Sequence, residues 1–138
     1  MIKVITPERS TDPHGSGAWQ ASRGNRKHNG IDYACMPNSV VLSATIGMVT
    51  KIGFPYSPQD EKKKHFRYIE VTTPLGYSIR YFYIKPIVNL GEQISVGDPL
   101  GVVQDIGTAY GGITPHIHVG VKKDSKYINP ELYFKEFG

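Results

Sequence analysis

Two short stretches of the sequence concentrate groups that bind metals or move protons. Residues 28–32 read His-Asn-Gly-Ile-Asp, with an imidazole at His28 and a carboxylate at Asp32. A β-strand projects alternate side chains to one side, so a spacing of four places both groups on one face. Residues 116–118 read His-Ile-His and repeat the logic at a spacing of two, with Ile117, Val119 and Val121 turned to the opposite face. One side of this strand is a candidate core and the other a candidate site. Two imidazoles and one carboxylate around zinc leave a fourth tetrahedral position for water, the arrangement of a catalytic rather than a structural zinc. Water held there ionises at a pH of about 7. A lone His-x-His is common in surface strands, and its pairing with His-x-x-x-Asp in a β context is what raises it above chance.

These side chains need strands to hold them, and the chain supplies many short ones. After a polar, turn-rich opening over residues 1–27, residues 28–33 start a strand, and residues 40–52 alternate apolar side chains around Gly47, predicting a hairpin. Residues 54–65 read as a loop carrying Pro and Lys. Residues 68–73 are β-branched and turn at Pro74-Leu75-Gly76 into a partner strand over residues 77–84. Pro86 ends that partner, because proline cannot donate to a ladder. Residues 116–122 form the last strand, after a Gly-rich loop over residues 107–115. Only the tail, where Asn129-Pro130-Glu131 can cap a turn, reads as helical. The prediction is a mainly β fold, an antiparallel sheet or open barrel-like sandwich of short strands. Long loops form a groove, and a short helical turn lies at the C-terminus.

Composition sets the outer bounds. The 138 residues match one domain, predicted to span 1–138, and suffice to bury a core without disulfides. Fifteen Gly and ten Pro suit frequent turns. The formal charge of +4 favours polyanionic surroundings such as nucleic acid, headgroups or an anionic cell wall. Part of it lies in Lys62, Lys63 and Lys64 beside Asp60 and Glu61, a mixed stretch that reads as a solvated loop. No interleaved aromatic and basic pattern marks nucleic-acid binding, and no segment approaches the ~20 apolar residues of a membrane span. The first seven residues lack the apolar run of a signal peptide. With an extracytoplasmic substrate, delivery would fall to lysis, particle delivery or signal-independent export, to act at the cell wall or periplasm. A single Cys35 excludes an internal disulfide and reads as a small buried hydrophobe.

The stretches His28-Asn29-Gly30-Ile31-Asp32-Tyr33, Ile46-Gly47-Met48-Val49, residues 91–101 and Pro115-His116-Ile117-His118-Val119 resemble the lysostaphin/LytM-type zinc endopeptidases, which cleave peptide cross-links in peptidoglycan. The resemblance runs over residues 12–134. It implies a zinc ion held by His28, Asp32 and His118, with His116 taking a proton from water, a role that suits imidazole. It implies a peptidoglycan stem or cross-bridge peptide as substrate, and a phage, prophage or bacterial wall-degrading context, as part of a larger particle or complex.

One position departs from the pattern. Where family peptidases usually carry a second catalytic histidine, this chain has Tyr83, within Arg80-Tyr81-Phe82-Tyr83-Ile84-Lys85-Pro86. A phenol with a pKa of about 10 can donate to a developing oxyanion but accepts protons poorly. Strand parity places Tyr81 and Tyr83 on one face, both toward the groove. The segment 82–87 and Tyr110-Gly111-Gly112-Ile113 are also similar to the chemotaxin branch of the family, which implies the alternative of a catalytically inactive zinc-containing module recognising a wall fragment or a protein partner. His14 and His65 read as solvated, Trp19 as a wall of the cleft or a pin for its loop, and Arg23 and Arg26 as candidates for a substrate carboxylate.

Overall fold

The computed structural model describes residues 18, 22–23, 26–27 and 29–137. Besides a 3-10 turn at Ile106–Thr108, the described residues form twelve strands and one α-helix in chain order. They are β1 (Ser22–Arg23), β2 (Arg26–Lys27), β3 (Ile31–Ala34), β4 (Val40–Leu42), β5 (Gly47–Gly53), β6 (Tyr68–Thr72), β7 (Ser78–Phe82), β8 (Ile84–Pro86), β9 (Gln93–Ile94), β10 (Pro99–Val103), β11 (His116–Lys123), β12 (Lys126–Ile128) and α1 (Pro130–Phe137). The main sheet runs β12-β11-β7-β6-β5-β9, with β3 beside the first half of β11. A second sheet of β4-β10-β8 lies across it, and β1 and β2 form a small ribbon. All pairings are antiparallel. Among the described residues no helix is long and apolar enough to cross a membrane.

The core fills the space between the two larger sheets. Ile117, Val119 and Val121 of β11, Ile79 and Tyr81 of β7, Ile69 and Val71 of β6 and Val49 of β5 meet Val41, Ile84, Leu100 and Val103 of the second sheet. Each of these side chains is at most 2% exposed. Full burial of one such aliphatic side chain contributes about 1.5–3 kcal/mol, so the period-two apolar faces suffice to fix which side of each strand looks inward. Tyr133 and Phe134 of α1 close one end of this core. The helix starts as expected: Asn129 Oδ1 accepts from the Glu131 amide at 3.0 Å, with Pro130 in the first turn.

Two expectations are corrected. Residues 40–52 do not form a hairpin, because β4 pairs β10 whereas β5 pairs β6 and β9. The chain changes sheets at residues 43–46, where the Ser43 amide donates to Asp98 O and the Ser43 hydroxyl donates to Thr45 O. Gly47 is no turn residue but the first of β5, where a Cβ would strike Val71 and Thr72. The second correction concerns Tyr83. It is the corner between β7 in one sheet and β8 in the other, in the left-handed region at φ 71°. Parity does not carry through such a corner, so Tyr81 is fully buried in the core while Tyr83 faces elsewhere. The Tyr81 hydroxyl accepts from the Ala44 amide at 3.3 Å, and burial pushes its pKa up to about 12.

Candidate active site

β3 and β11 bring three of the expected site residues together. Their register sets His118 opposite Asp32 and His116 opposite Ala34, and paired residues of antiparallel strands point to the same face. Asp32 Oδ1 and His118 Nδ1 lie 2.9 Å apart, and Asp32 Oδ2 and His116 Nε2 lie 3.4 Å apart. Asp32 and His116 are buried, at 2% and 3% exposure. The second imidazole is held from behind: His116 Nδ1 is 2.7 Å from Thr114 O. A carbonyl only accepts, so Nδ1 carries the hydrogen and Nε2 presents its lone pair toward the carboxylate. A carboxylate and an imidazole lone pair face each other comfortably only with a proton or a cation between them.

That arrangement is the test of fit for a metal. Two ligand atoms of a tetrahedral zinc stand roughly 3.4 Å apart given the usual zinc–nitrogen and zinc–oxygen lengths, so the Asp32–His118 pair would have to open slightly to hold the ion. Among the described residues no set of three metal-binding groups converges on one point. The third expected ligand, His28, lies outside the described residues, as do Trp19 and His14. Asn29 and Gly30, which follow it, lead directly into β3. Gly30 is buried against the His118 ring, where no side chain would fit.

Aromatic rings build the surroundings. Phe82 is in register with His118 on one side and Tyr68 on the other. It stands edge-on to the His118 ring with centroids 5.2 Å apart and stacks on Tyr68 at the same separation. Tyr83 approaches His116 edge-on, with centroids 5.7 Å apart. Its backbone is clamped at both ends, the amide donating to Arg67 O at 2.8 Å and the carbonyl accepting from the Gln104 amide at 2.9 Å. A left-handed aromatic residue costs on the order of 1–3 kcal/mol and persists only when its surroundings over-determine it. Gln104 does so, since its side chain also accepts from the Arg67 amide and donates to His65 O.

Other residues fall where reading by spacing alone could not put them. The Tyr56 hydroxyl is 2.9 Å from that of Tyr83 and 3.1 Å from that of Tyr110. Partners 27 and 54 positions apart leave no periodic signal in a loop. Lys63 is not merely solvated: its ammonium lies 4.7 Å from the Tyr110 ring centroid and 5.3 Å from that of Tyr56. His65 is exposed and packs on Phe66 instead of reaching the site. Cys35 packs against the core but is only partly buried, where a buried hydrophobe was expected, and burial against an opposing hydrogen bond from Ile117 pushes its pKa to about 11. Beyond Phe82, the open face of the sheet carries Glu70, which accepts from Arg80 Nε at 2.7 Å and from the Thr50 hydroxyl at 2.7 Å.

Comparison with known proteins identifies the fold and the family. The chain is 32% identical over 111 residues to leukocyte cell-derived chemotaxin-2 of Bos taurus, spanning 80% of this chain and 70% of that protein. Its fold is similar to Csd3 of Helicobacter pylori, with a TM-score of 0.64 and 25% identity over 93% of this chain and 33% of that one. The catalytic domain of the antimicrobial peptidase lysostaphin from Staphylococcus simulans gives 0.65 and 17% identity, covering 93% of this chain and 99% of that domain. A zinc containing peptidase from Vibrio cholerae gives 0.64 and 19% identity, over 91% and 39%. The chain thus spans a third of Csd3 but nearly the whole lysostaphin catalytic domain. Residues 26–130 match the profile of peptidase family M23, as the resemblance of the motifs implied, and the chain belongs to that family.

Proposed function

We propose that this chain is a zinc metallopeptidase that hydrolyses stem or cross-bridge peptides of peptidoglycan, with His28, Asp32 and His118 holding the metal. The observation that carries this reading is the buried Asp32 carboxylate, whose two oxygens face His118 Nδ1 at 2.9 Å and His116 Nε2 at 3.4 Å. Bound there, zinc would supply Lewis-acid polarisation of a peptide carbonyl and of water. His116 accepts the proton from water at Nε2, the nitrogen that the Thr114 carbonyl leaves basic, and returns it to the departing amine. Tyr83 donates its hydroxyl hydrogen to the oxyanion that forms at the cleaved carbonyl. Phe82, edge-on to His118 and stacked on Tyr68, forms an aromatic wall beside the site. The lysostaphin neighbour, named as an antimicrobial peptidase, supports the choice of a wall peptide as substrate. Such a substrate puts the site of action at the wall or periplasm.

The experiment is metal analysis coupled to digestion of purified cell walls. Release of new amino groups, abolished by a chelator and by His116→Ala, is the expected result. Absence of release from several wall types at saturating zinc overturns the hydrolytic reading. A second reading, a zinc-containing binding module without turnover, is favoured by one observation: Tyr83 puts a phenol where a second base is expected. The identity to a protein named as a chemotaxin points the same way.

A further inference from the structure

Three tyrosine hydroxyls form a short chain beside His116, and the middle one belongs to a residue that no part of the hydrolytic scheme uses. Tyr56 comes from the loop between β5 and β6, Tyr110 from the loop between β10 and β11, and Tyr83 from the corner between the sheets. Tyr56 touches both of the others, at 2.9 and 3.1 Å. A phenol has one hydrogen to give, so Tyr56 donates to at most one neighbour and accepts from at least one. Burial, together with the nearby Tyr83 and Tyr110 phenols, pushes the Tyr56 pKa far up, so it works only as a neutral hydroxyl. Phe66, fully buried, packs edge-on against both the Tyr56 and Tyr83 rings, with centroids 6.1 and 5.4 Å away. The Lys63 ammonium over the Tyr56 and Tyr110 rings holds the two loops together.

We propose that Tyr56 is a positioning residue: its hydroxyl, backed by Tyr110, fixes where the Tyr83 hydroxyl sits beside His116 and which way its hydrogen points. The inference rests on the hydrolytic reading above only for its catalytic consequence. In the polarity that serves hydrolysis, Tyr110 donates to Tyr56 and Tyr56 donates to Tyr83. The Tyr83 oxygen then accepts on that side and directs its own hydrogen across the site. Backbone clamping by Arg67 and Gln104 sets the root of the Tyr83 side chain, and Tyr56 sets its tip. A phenol without that anchor can turn about its C–O bond, and misplaced donors lose much of their effect.

The test is a double-mutant cycle of Tyr56→Phe and Tyr83→Phe in the zinc-loaded protein, read by both melting temperature and wall digestion. Phenylalanine keeps the rings against Phe66, so both variants are expected to fold. Melting shifts that fall short of additive in the double variant show the hydroxyl pair; additive shifts overturn the inference whether or not the protein hydrolyses anything. In digestion, Tyr56→Phe is expected to lower kcat about tenfold with KM unchanged, and to have no further effect once Tyr83 is Phe. Wild-type turnover in Tyr56→Phe also overturns the inference and leaves the peptidase reading intact. A wild-type protein that digests no wall removes the peptidase reading, and the melting cycle then decides the positioning role.

Discussion

The His118 ring lies directly on Gly30: a Cβ placed on that glycine would be 2.8 Å from both Cε1 and Nε2 of the imidazole and would collide with the Val119 carbonyl oxygen. The glycine between His28 and Asp32 is therefore space for a ring on the neighbouring strand. Gly30→Ala is expected to push β3 off β11 at the Asp32–His118 pair. Overpacking of this kind costs about 1–3 kcal/mol, so urea unfolding should show a lowered midpoint with an unchanged slope. Bound zinc measured in the same samples should fall with it. An alanine variant with full stability and full metal content would show that the ring moves freely.

Metal should account for a large share of the stability at this end of the sheet. Asp32 is a buried carboxylate facing imidazole nitrogens, and holding its charge in the interior is costly. A ligand present at about a thousandfold its Kd stabilises by about 4 kcal/mol, which for a domain of this size is roughly 10 °C in melting temperature. A chelator is expected to lower the melting point by that order, with recovery on zinc addition. Asp32→Asn should abolish both the bound metal and the chelator response. An unchanged response in Asp32→Asn would place the metal elsewhere.

Glu70 offers a pH-dependent test away from the site. Burial raises its pKa, but hydrogen bonds from Arg80 and Thr50 and the charges of Arg80 and Lys51 outweigh it, and the carboxyl sits below its ordinary value of 4.5. A depressed folded pKa means stability that is complete above the unfolded value and is lost as pH falls through the folded one. Glu70→Gln should cost about 1–3 kcal/mol at neutral pH. Measured by urea unfolding, that difference should shrink as the pH is lowered through and below 4.5. A constant difference down to strong acid would mean that Glu70 is not charged in the folded protein.

The main strands were legible because a period of two inside single strands marks their apolar face, and the association of Asp32 with His118 was implied by the resemblance of the motifs. The sequence reading failed where the chain changes sheet. Residues 43–46 and Tyr83 are corners, and alternation says nothing about which strand lies on the far side of a corner. Tyr81 and Tyr83, two apart, therefore end in the core and beside His116 respectively. The tyrosine chain was equally hidden, because Tyr56, Tyr83 and Tyr110 meet only after three separate segments have folded. Nothing in the sequence joined Glu70 to Arg80, ten positions apart, and it is the register of β6 on β7 that sets them opposite each other.

Cys35 should be slow to react although it is not fully buried. Raising its pKa from 9.0 to about 11 lowers the thiolate fraction at neutral pH about a hundredfold, and only the thiolate attacks. Alkylation of the folded protein with iodoacetamide, followed by mass spectrometry, should run about a hundredfold slower than in concentrated urea. Equal rates would show that the thiol is not packed on the core.

Tyr83→His puts the two functional readings in direct opposition. If the phenol is the oxyanion donor, imidazole at the corner shortens the side chain and breaks the contact with Tyr56, now 2.9 Å. The left-handed backbone is kept, because Arg67 and Gln104 hold it through main-chain atoms, so the fold should survive. Loss of one oxyanion donor costs about 100- to 1000-fold in kcat, and wall digestion by Tyr83→His should fall by that order while zinc content stays at wild-type level. If the chain is instead a binding module, its only lack is a second base, and the same substitution should create hydrolysis where there was none. Digestion by wild type and variant, at equal zinc content, separates these outcomes, and a gain of turnover in the variant overturns the assignment of Tyr83 as donor.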